Sequence, residues 1–330
     1  MERIELMHDW LRSRFPEGRW SVAPASADAS FRRYFRVSVD DATHIVMDAP
    51  PQHEDCGPFL HVAKLFAAAG AHVPEILDQD LQQGFLLLSD LGSTTYLQAL
   101  DEDNADPLYR DAIEALVKIQ LASRPDVLPP YDEALLLREM RLFPEWYVGK
   151  HLQTDLSASQ QEMLERTFAL IALNNLAQPK VYVHRDYHSR NLMASSPNPG
   201  VLDFQDAVHG PITYDLASLF KDAYISWDEE RVLDWTIRYW ERAKKAGLPV
   251  NADFYEFYRD FEWMGVQRHI KVLGIFARLR HRDGKEAYLK DMPLVMTYLR
   301  KACERYNALG PLLRLLDDLE NKQAAVGYSF

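Results

Sequence analysis

The stretch Val183-His184-Arg185-Asp186-Tyr187-His188-Ser189-Arg190-Asn191-Leu192-Met193, followed by Val201-Leu202-Asp203-Phe204-Gln205-Asp206, decides how this chain reads. It contains the spacing H-R-D-x-x-x-x-N, with a second acidic motif after a short hairpin. Phosphoryl transfer needs a carboxylate beside the attacking hydroxyl, to orient it and take its proton. It also needs hard oxygen ligands for a Mg2+ ion that bridges nucleotide phosphates. Asp186 suits the first task, and Asn191 and Asp203 suit the second. YVH, NLMAS and GVLDF are short strand-like runs, with a turn at Pro197-Asn198-Pro199-Gly200 between the last two. A hairpin of this kind brings loop and strand end together, so that both face one metal–phosphate cluster. Any one of these residues alone reads as a polar cap in a surface turn; the joint pattern does not.

The flanking segments differ in kind. Before the motif, FRRYFRVSVD and THIVMDA read as two strands joined at Asp40-Asp41. Phe59 to Ala69 has helical character and ends at Gly70, and VPEIL and GFLLLSD read as two more strands around Gln82-Gln83-Gly84. Asp90-Leu91-Gly92 interrupts this pattern. Beyond it, residues 105–123, 133–150, 156–177, 212–226, 229–246, 252–280 and 285–306 carry apolar positions at helical spacing. The expected class is α+β, with a small β-rich lobe over 1–90 and a larger helical lobe over 91–330 that carries the motif.

Bulk properties set the class of molecule. At 330 residues the chain is longer than one compact core usually holds. Its 47% hydrophobic and 26% charged residues are ordinary globular composition. The net charge of −12 gives no basic face for nucleic acid, and suits either an acidic soluble protein or a cleft for a cationic substrate. Cys56 and Cys303 match no zinc or CxxC spacing and read as free thiols. MERIELMHDWLRSRF is amphipathic without a signal-peptide core, and no apolar run reaches the roughly 18 residues of a membrane span. The chain reads as soluble and cytoplasmic.

His184-Arg185-Asp186-Tyr187-His188 with Asn191 resembles the catalytic loop shared by protein kinases and aminoglycoside phosphotransferases. His188 matches the phosphotransferase version, HxDxHxxN. Asp203-Phe204-Gln205-Asp206 stands where protein kinases carry DFG. The resemblance implies a bilobal protein-kinase-like fold, with ATP and Mg2+ as cofactors. It also implies that Asp215, in Tyr214-Asp215-Leu216-Ala217, braces the catalytic loop together with His184; on its own, Asp215 reads equally as a helix N-terminal acid.

Two features depart from that pattern. The phosphate-covering segment, Ser26-Ala27-Asp28-Ala29-Ser30-Phe31-Arg32-Arg33-Tyr34-Phe35-Arg36, has no glycine, although Ala27, Ala29 and Ser30 are small enough for close backbone approach, with the Ser30 hydroxyl toward phosphate. Met47 occupies the place of the strand lysine that holds phosphates in kinases. Arg32 or Arg33 is the expected replacement, only one of the two because strand alternation puts them on opposite faces. SxDASFRRYFR, MDAPP (Met47 to Pro51) and WMGVQRHIKVLGIFARL (Trp263 to Leu279) together resemble the bacterial cell-wall sugar kinases. That resemblance implies phosphorylation of N-acetylmuramate and N-acetylglucosamine at the anomeric hydroxyl. The implied α-1-phosphate feeds a sugar-1-phosphate nucleotidyltransferase in peptidoglycan recycling.

Adenine is expected against the hinge, at Leu88, Ser89 and Leu91. Candidate sugar-binding residues are Asp206 and His209 beyond the metal ligand, Tyr224 after the catalytic region, and Arg268 on the long helix, some of whose polar group Gln267–Lys271 is expected to face solvent or a neighbouring helix. An Arg or His would suit a substrate carboxylate. Two other functions fit the same sequence. One is a kinase for another small alcohol, such as an aminoglycoside, choline or homoserine. The other is an inactive pseudokinase, favoured by Met47 and the glycine-free loop and opposed by the joint presence of Asp186, Asn191 and Asp203.

Overall fold

Alternation in RYFRVSV and ATHIVMD builds the first hairpin: β2 (Arg33–Val39) pairs antiparallel with β3 (Ala42–Asp48), Arg33 opposite Asp48 and Val39 opposite Ala42. A computed structural model describes residues 3–16, 19–26 and 32–327. The chain folds into an α+β architecture that divides into two units, each compact in itself: Met1–Ala99 with Asn191–Asp206, and Leu100–Arg190 with Ala207–Phe330. These packing units are a different division from lobes split at residue 90, because the hairpin after the catalytic loop groups with the sheet.

In the first unit, α1 (Arg3–Arg14) precedes β1 (Trp20–Ser26). After β2 and β3 come α2 (Gly57–Ala68), β4 (Ile76–Asp80), β5 (Phe85–Ser89) and the short α3 (Tyr96–Ala99). The sheet order is β1-β2-β3-β5-β4. Met7, Trp10 and Leu11 of α1 pack with Val37, Val46, Phe85 and Leu87, and Trp10 stacks on Phe85 at 5.6 Å. Met47, Leu86 and Leu88 alternate with that set and are also buried. The β4–β5 turn needs Gly84: its φ is +74°, and a Cβ there would lie 2.0 Å from the Ala49 carbonyl oxygen. Two short strands, β7 (Leu192–Met193) and β8 (Gly200–Val201), form the hairpin, and His72 bridges to Gly200. Phe204 follows, buried against Phe59 at 4.9 Å and Phe66 at 6.0 Å. Burying such a ring contributes about 1.5–3 kcal/mol and fixes the chain direction next to Asp203.

The second unit is helical: α4 (Ala105–Leu121), α5 (Glu133–Met140), α6 (Ala158–Leu176), α7 (Tyr214–Phe220), α8 (Glu229–Ala246), α9 (Phe254–Asp283), α10 (Met292–Arg305) and α11 (Gly310–Gly327). One strand pair, β6 (Lys180–Val183) with β9 (Val208–Pro211), stands at the start of the loop that carries the H-R-D motif. Helix α9 starts at the Asp253 cap, whose carboxylate accepts the Tyr255 N–H at 2.8 Å, and ends at Gly284 with φ +70°. At 1.5 Å per residue it is about 45 Å long, and every residue from 261 to 274 is buried. Gly274 permits this, since a Cβ there would lie 2.5 Å from the Leu142 carbonyl carbon.

Strand β1 was not expected: Pro24 interrupts its pattern, and it is tolerated because β1 is an edge strand. The helix expected over 133–150 stops at Met140, and Phe143–His151 continues as a wider π-type turn with Pro144 in its first turn. Neither β9 nor α11 was expected. Among the described residues, no helix is long and apolar enough to cross a membrane.

Candidate active site

The loop that carries the H-R-D motif begins where β6 ends, and two buried carboxylates of the same unit hold it. Asp215, at the start of α7, accepts the N–H of His184 at 2.7 Å and of Arg185 at 3.0 Å. Burial pushes its carboxyl up to about 6, against the opposing effects of His184 and those two bonds. Asp222 accepts the Ser189 N–H at 2.9 Å and the Ser189 hydroxyl at 2.5 Å. Within the loop, Arg185 takes a left-handed φ of +78°, the Asp186 N–H reaches His184 Nδ1 at 3.2 Å, and the His188 N–H reaches the Asp186 carbonyl at 3.1 Å. A non-glycine residue at that φ costs on the order of 1–3 kcal/mol. The Tyr187 hydroxyl, donating to the Ala112 carbonyl at 2.8 Å, anchors the loop to α4.

Asp186 stands in this frame with 39% of its side chain exposed. Arg268 Nη1 lies 3.7 Å from its Oδ1 and donates to the Arg185 carbonyl at 2.9 Å. Lys271 donates to the Tyr214 hydroxyl at 3.0 Å and pairs with Glu139 at 3.2 Å. Glu139 also pairs with Arg185 and accepts from the Tyr131 hydroxyl and, at 3.2 Å, from Gln267. Burial alone would raise the Asp186 carboxyl, but Lys271, Arg268, His188 and Arg185 together hold it well below the usual carboxylate range. Asp186 is therefore an ionised acceptor at neutral pH. Burial takes His188 the other way, down to about 4, so its imidazole is neutral there.

Gln267, Arg268, His269 and Lys271 are all buried. None faces solvent, because α9 is enclosed on every side over this stretch. Arg268 meets the catalytic loop rather than standing open, and His269 reaches the Lys221 carbonyl at 3.1 Å and stacks on Tyr298. Tyr224 lies edge-on to His188 at 5.4 Å and under Arg190. His209 is half-buried in β9, opposite Tyr182.

In the first unit, Asn191 Nδ2 donates to Asp203 Oδ2 at 3.3 Å and Gln205 Nε2 to Asp203 Oδ1 at 2.8 Å. Asp203 has a φ of +61°, and the Leu202 N–H bonds the Asn191 carbonyl at 2.9 Å. Gln205 Oε1 is buried with no hydrogen-bond partner among the described residues. Among those residues, no group of three or more His, Cys, Asp or Glu side chains is gathered as a metal cage. One carboxylate with neighbouring amide oxygens is instead the donor set of a hard cation that keeps phosphate and water ligands, as Mg2+ does. Asp206 is exposed.

Of the nucleotide candidates, Ser30 lies outside the described residues. Arg33 forms a two-bond fork on the buried Asp48 carboxylate at 3.1 and 2.5 Å, and Arg3 pairs with the same group. Arg32 is 3.4 Å from Glu54. Met47 is fully buried in β3. Leu88 and Leu91 are buried. The Ser89 N–H bonds the Glu75 carbonyl and its hydroxyl accepts the Glu75 N–H at 2.8 Å, so the β5 backbone is satisfied up to that residue. The next turn is clamped by Arg36, which donates to Asp90 at 2.6 and 3.1 Å and to the Gly92 carbonyl at 2.8 Å.

The model of the phosphotransferase enzyme family matches residues 21–250. The chain belongs to this family. A relative from Pseudomonas aeruginosa, named N-acetylmuramate/N-acetylglucosamine kinase, is 51% identical over 327 residues, 96% of this chain and 97% of its own. One of the same name from Neisseria meningitidis serogroup B is 48% identical across the whole of both chains. A choline kinase structure from Streptococcus pneumoniae superposes with a TM-score of 0.65 at 13% identity, over 91% of this chain and 100% of that one. At that identity the likeness is one of fold.

The sequence singled out neither Glu139 nor Asp222, the buried acids that meet this loop. Gln267 and Lys271, one turn apart in a largely apolar helix, carried a visible signal for a buried polar cluster. Glu139 and Asp222 carried none, since each is a lone acid until the fold brings it to the loop.

Proposed function

We propose that the chain is an ATP-dependent kinase that phosphorylates N-acetylmuramate and N-acetylglucosamine on the anomeric hydroxyl, giving the α-1-phosphate. Family membership supports a kinase, and full-length relatives near half identity support an amino-sugar acceptor. The observation that carries the mechanism is Asp186, a partly exposed carboxylate kept ionised by Lys271 and Arg268.

The anomeric O–H hydrogen-bonds to Asp186, which aims the O1 lone pair at the γ-phosphorus of ATP. The O1–P bond forms as the bond from the γ-phosphorus to the β,γ-bridging oxygen breaks, and ADP leaves with that electron pair. A strongly depressed carboxyl is a weak base. Proton transfer to Asp186 is accordingly late, as the loose transition state of phosphoryl transfer allows. The anomeric hydroxyl suits this arrangement because it is more acidic than an ordinary alcohol. A Mg2+ ion held by Asn191 and Asp203 would neutralise charge on the β- and γ-phosphates. Arg32 and Arg33 are both paired with an acid, Glu54 and Asp48, and both stay candidate cations for the phosphates. The backbone beyond Ser89, held by the Arg36–Asp90 clamp, is the candidate adenine edge. In a cytoplasmic recycling route for cell-wall sugars, a sugar-1-phosphate of this kind is consumed by nucleotidyl transfer.

Asp186→Asn tests the assignment. It should lower kcat by about 10²–10⁴-fold while nucleotide still binds and the urea midpoint stays near wild type. Turnover close to wild type in that variant would remove Asp186 from the mechanism.

A further inference from the structure

Arg190 is the fourth residue after Asp186 on the catalytic loop, and its guanidinium carbon lies 3.8 Å from the centre of the Tyr224 ring. Tyr288 stands at 5.6 Å. Among the described residues this guanidinium forms no hydrogen bond or ion pair, whereas Arg185 and Arg268 on either side of Asp186 both do. Stacking uses the face of a guanidinium and leaves its in-plane N–H edge available. Such an edge is complementary to a carboxylate, which accepts two parallel N–H bonds.

The surroundings are built for a polar ligand. Tyr224 is held in place because its backbone N–H bonds Asp222 at 3.1 Å, and its ring lies against His188 and, at 6.1 Å, Phe276. Phe276 in turn meets Tyr288 at 5.2 Å. His188 is 8% exposed, and its Nδ1 is buried with no partner among the described residues. Asp291 Oδ2 is buried and unpartnered as well, and its carboxyl is pushed up by burial despite Lys290 and Arg190. Unsatisfied buried polar atoms are uncommon, and here two of them accompany an unpaired arginine and an aromatic wall.

We propose that Arg190, stacked on Tyr224, reads the lactyl carboxylate of N-acetylmuramate and so sets the preference between the two acceptor sugars. This rests on the amino-sugar reading above and deepens it. The two sugars differ by one carboxylate-bearing ether, and among the described residues Arg190 is the cation of this loop that makes no hydrogen bond or ion pair.

The test compares kcat/KM for N-acetylmuramate and N-acetylglucosamine in wild type, Arg190→Gln and Arg190→Lys, with N-acetylmuramate methyl ester as a third acceptor for wild type. The N-acetylmuramate to N-acetylglucosamine ratio should fall about 10- to 100-fold in Arg190→Gln, as expected for charge-assisted hydrogen bonds. The loss should appear mainly in KM. Arg190→Lys, which keeps the charge and loses the fork, should fall between. Wild type should disfavour the methyl ester by a similar factor, an arm that does not depend on any variant folding. A ratio within twofold of wild type in Arg190→Gln, or an ester used as well as the acid, would overturn the assignment of Arg190 alone. Failure of wild type to phosphorylate either sugar would overturn the acceptor reading, and this inference with it.

Discussion

Replacing Lys271 by methionine keeps most of the volume of the stem and removes one cation from the cluster behind Asp186. The ammonium lies 3.2 Å from Glu139 Oε1. Two unit charges at that distance attract by roughly 5 kcal/mol at an effective dielectric of about 20. Desolvation of the ammonium offsets part of this, and removing one partner of a buried pair costs about 3–5 kcal/mol where the other is left bare. Glu139 is not left bare, since Arg185, Tyr131 and Gln267 stay in contact with it. The expected loss is therefore about 2–3 kcal/mol, read from urea unfolding. Activity supplies a second readout. Lys271 is foremost among the charges that overcome burial and depress Asp186. A depressed carboxyl contributes stability that is present above its unfolded pKa of about 3.9 and is lost as pH falls. Without Lys271 the Asp186 pKa rises, so the acid limb of kcat/KM moves to higher pH. A destabilisation below about 1 kcal/mol together with an unmoved acid limb would refute the electrostatic account of the cluster.

Other perturbations separate structure from chemistry. Gly274→Ala places a Cβ 2.5 Å from the Leu142 carbonyl carbon, so it should destabilise by about 1–3 kcal/mol or more in denaturant melts. Burial raises the Asp260 carboxyl to about 6, so the folded state holds its proton longer than the unfolded chain does. Its contribution to stability is full below about pH 4 and lost as pH rises through about 6, and Asp260→Asn should gain on wild type across that window and run parallel above pH 7.

The H-R-D-x-x-x-x-N motif with Asp203 was legible as a spacing, because phosphoryl transfer asks for an acceptor carboxylate and two oxygen donors within one hairpin's length of chain; the roles of Asp186, Asn191 and Asp203 are proposed from it. The sheet was legible where alternation is clean, as in RYFRVSV, and illegible at β1, where Pro24 is permitted only by the edge position that sequence does not reveal. The arginines show the limit most clearly. Arg33 looked equivalent to Arg32 until the register set it opposite Asp48, and Arg268 looked available until α9 proved to be buried all round. A charged side chain's role depends on which counter-charge the fold brings to it: Asp48 comes across one hairpin, whereas Glu139 comes to Arg185 from 46 residues away. Arg190 is the converse case, a charge that stacks on Tyr224 and, among the described residues, forms no ion pair.

In the proposed mechanism Asp186 directs phosphate onto the anomeric oxygen. The most direct measurement is the phosphorus spectrum of the product formed from ATP, Mg2+ and N-acetylglucosamine labelled with 13C at C1. The account predicts a sugar phosphate whose phosphorus couples to the labelled carbon and to an α-anomeric proton, formed by wild type and nearly absent with Asp186→Asn. A product whose phosphorus couples to any other ring position, or equal product from Asp186→Asn, would contradict it.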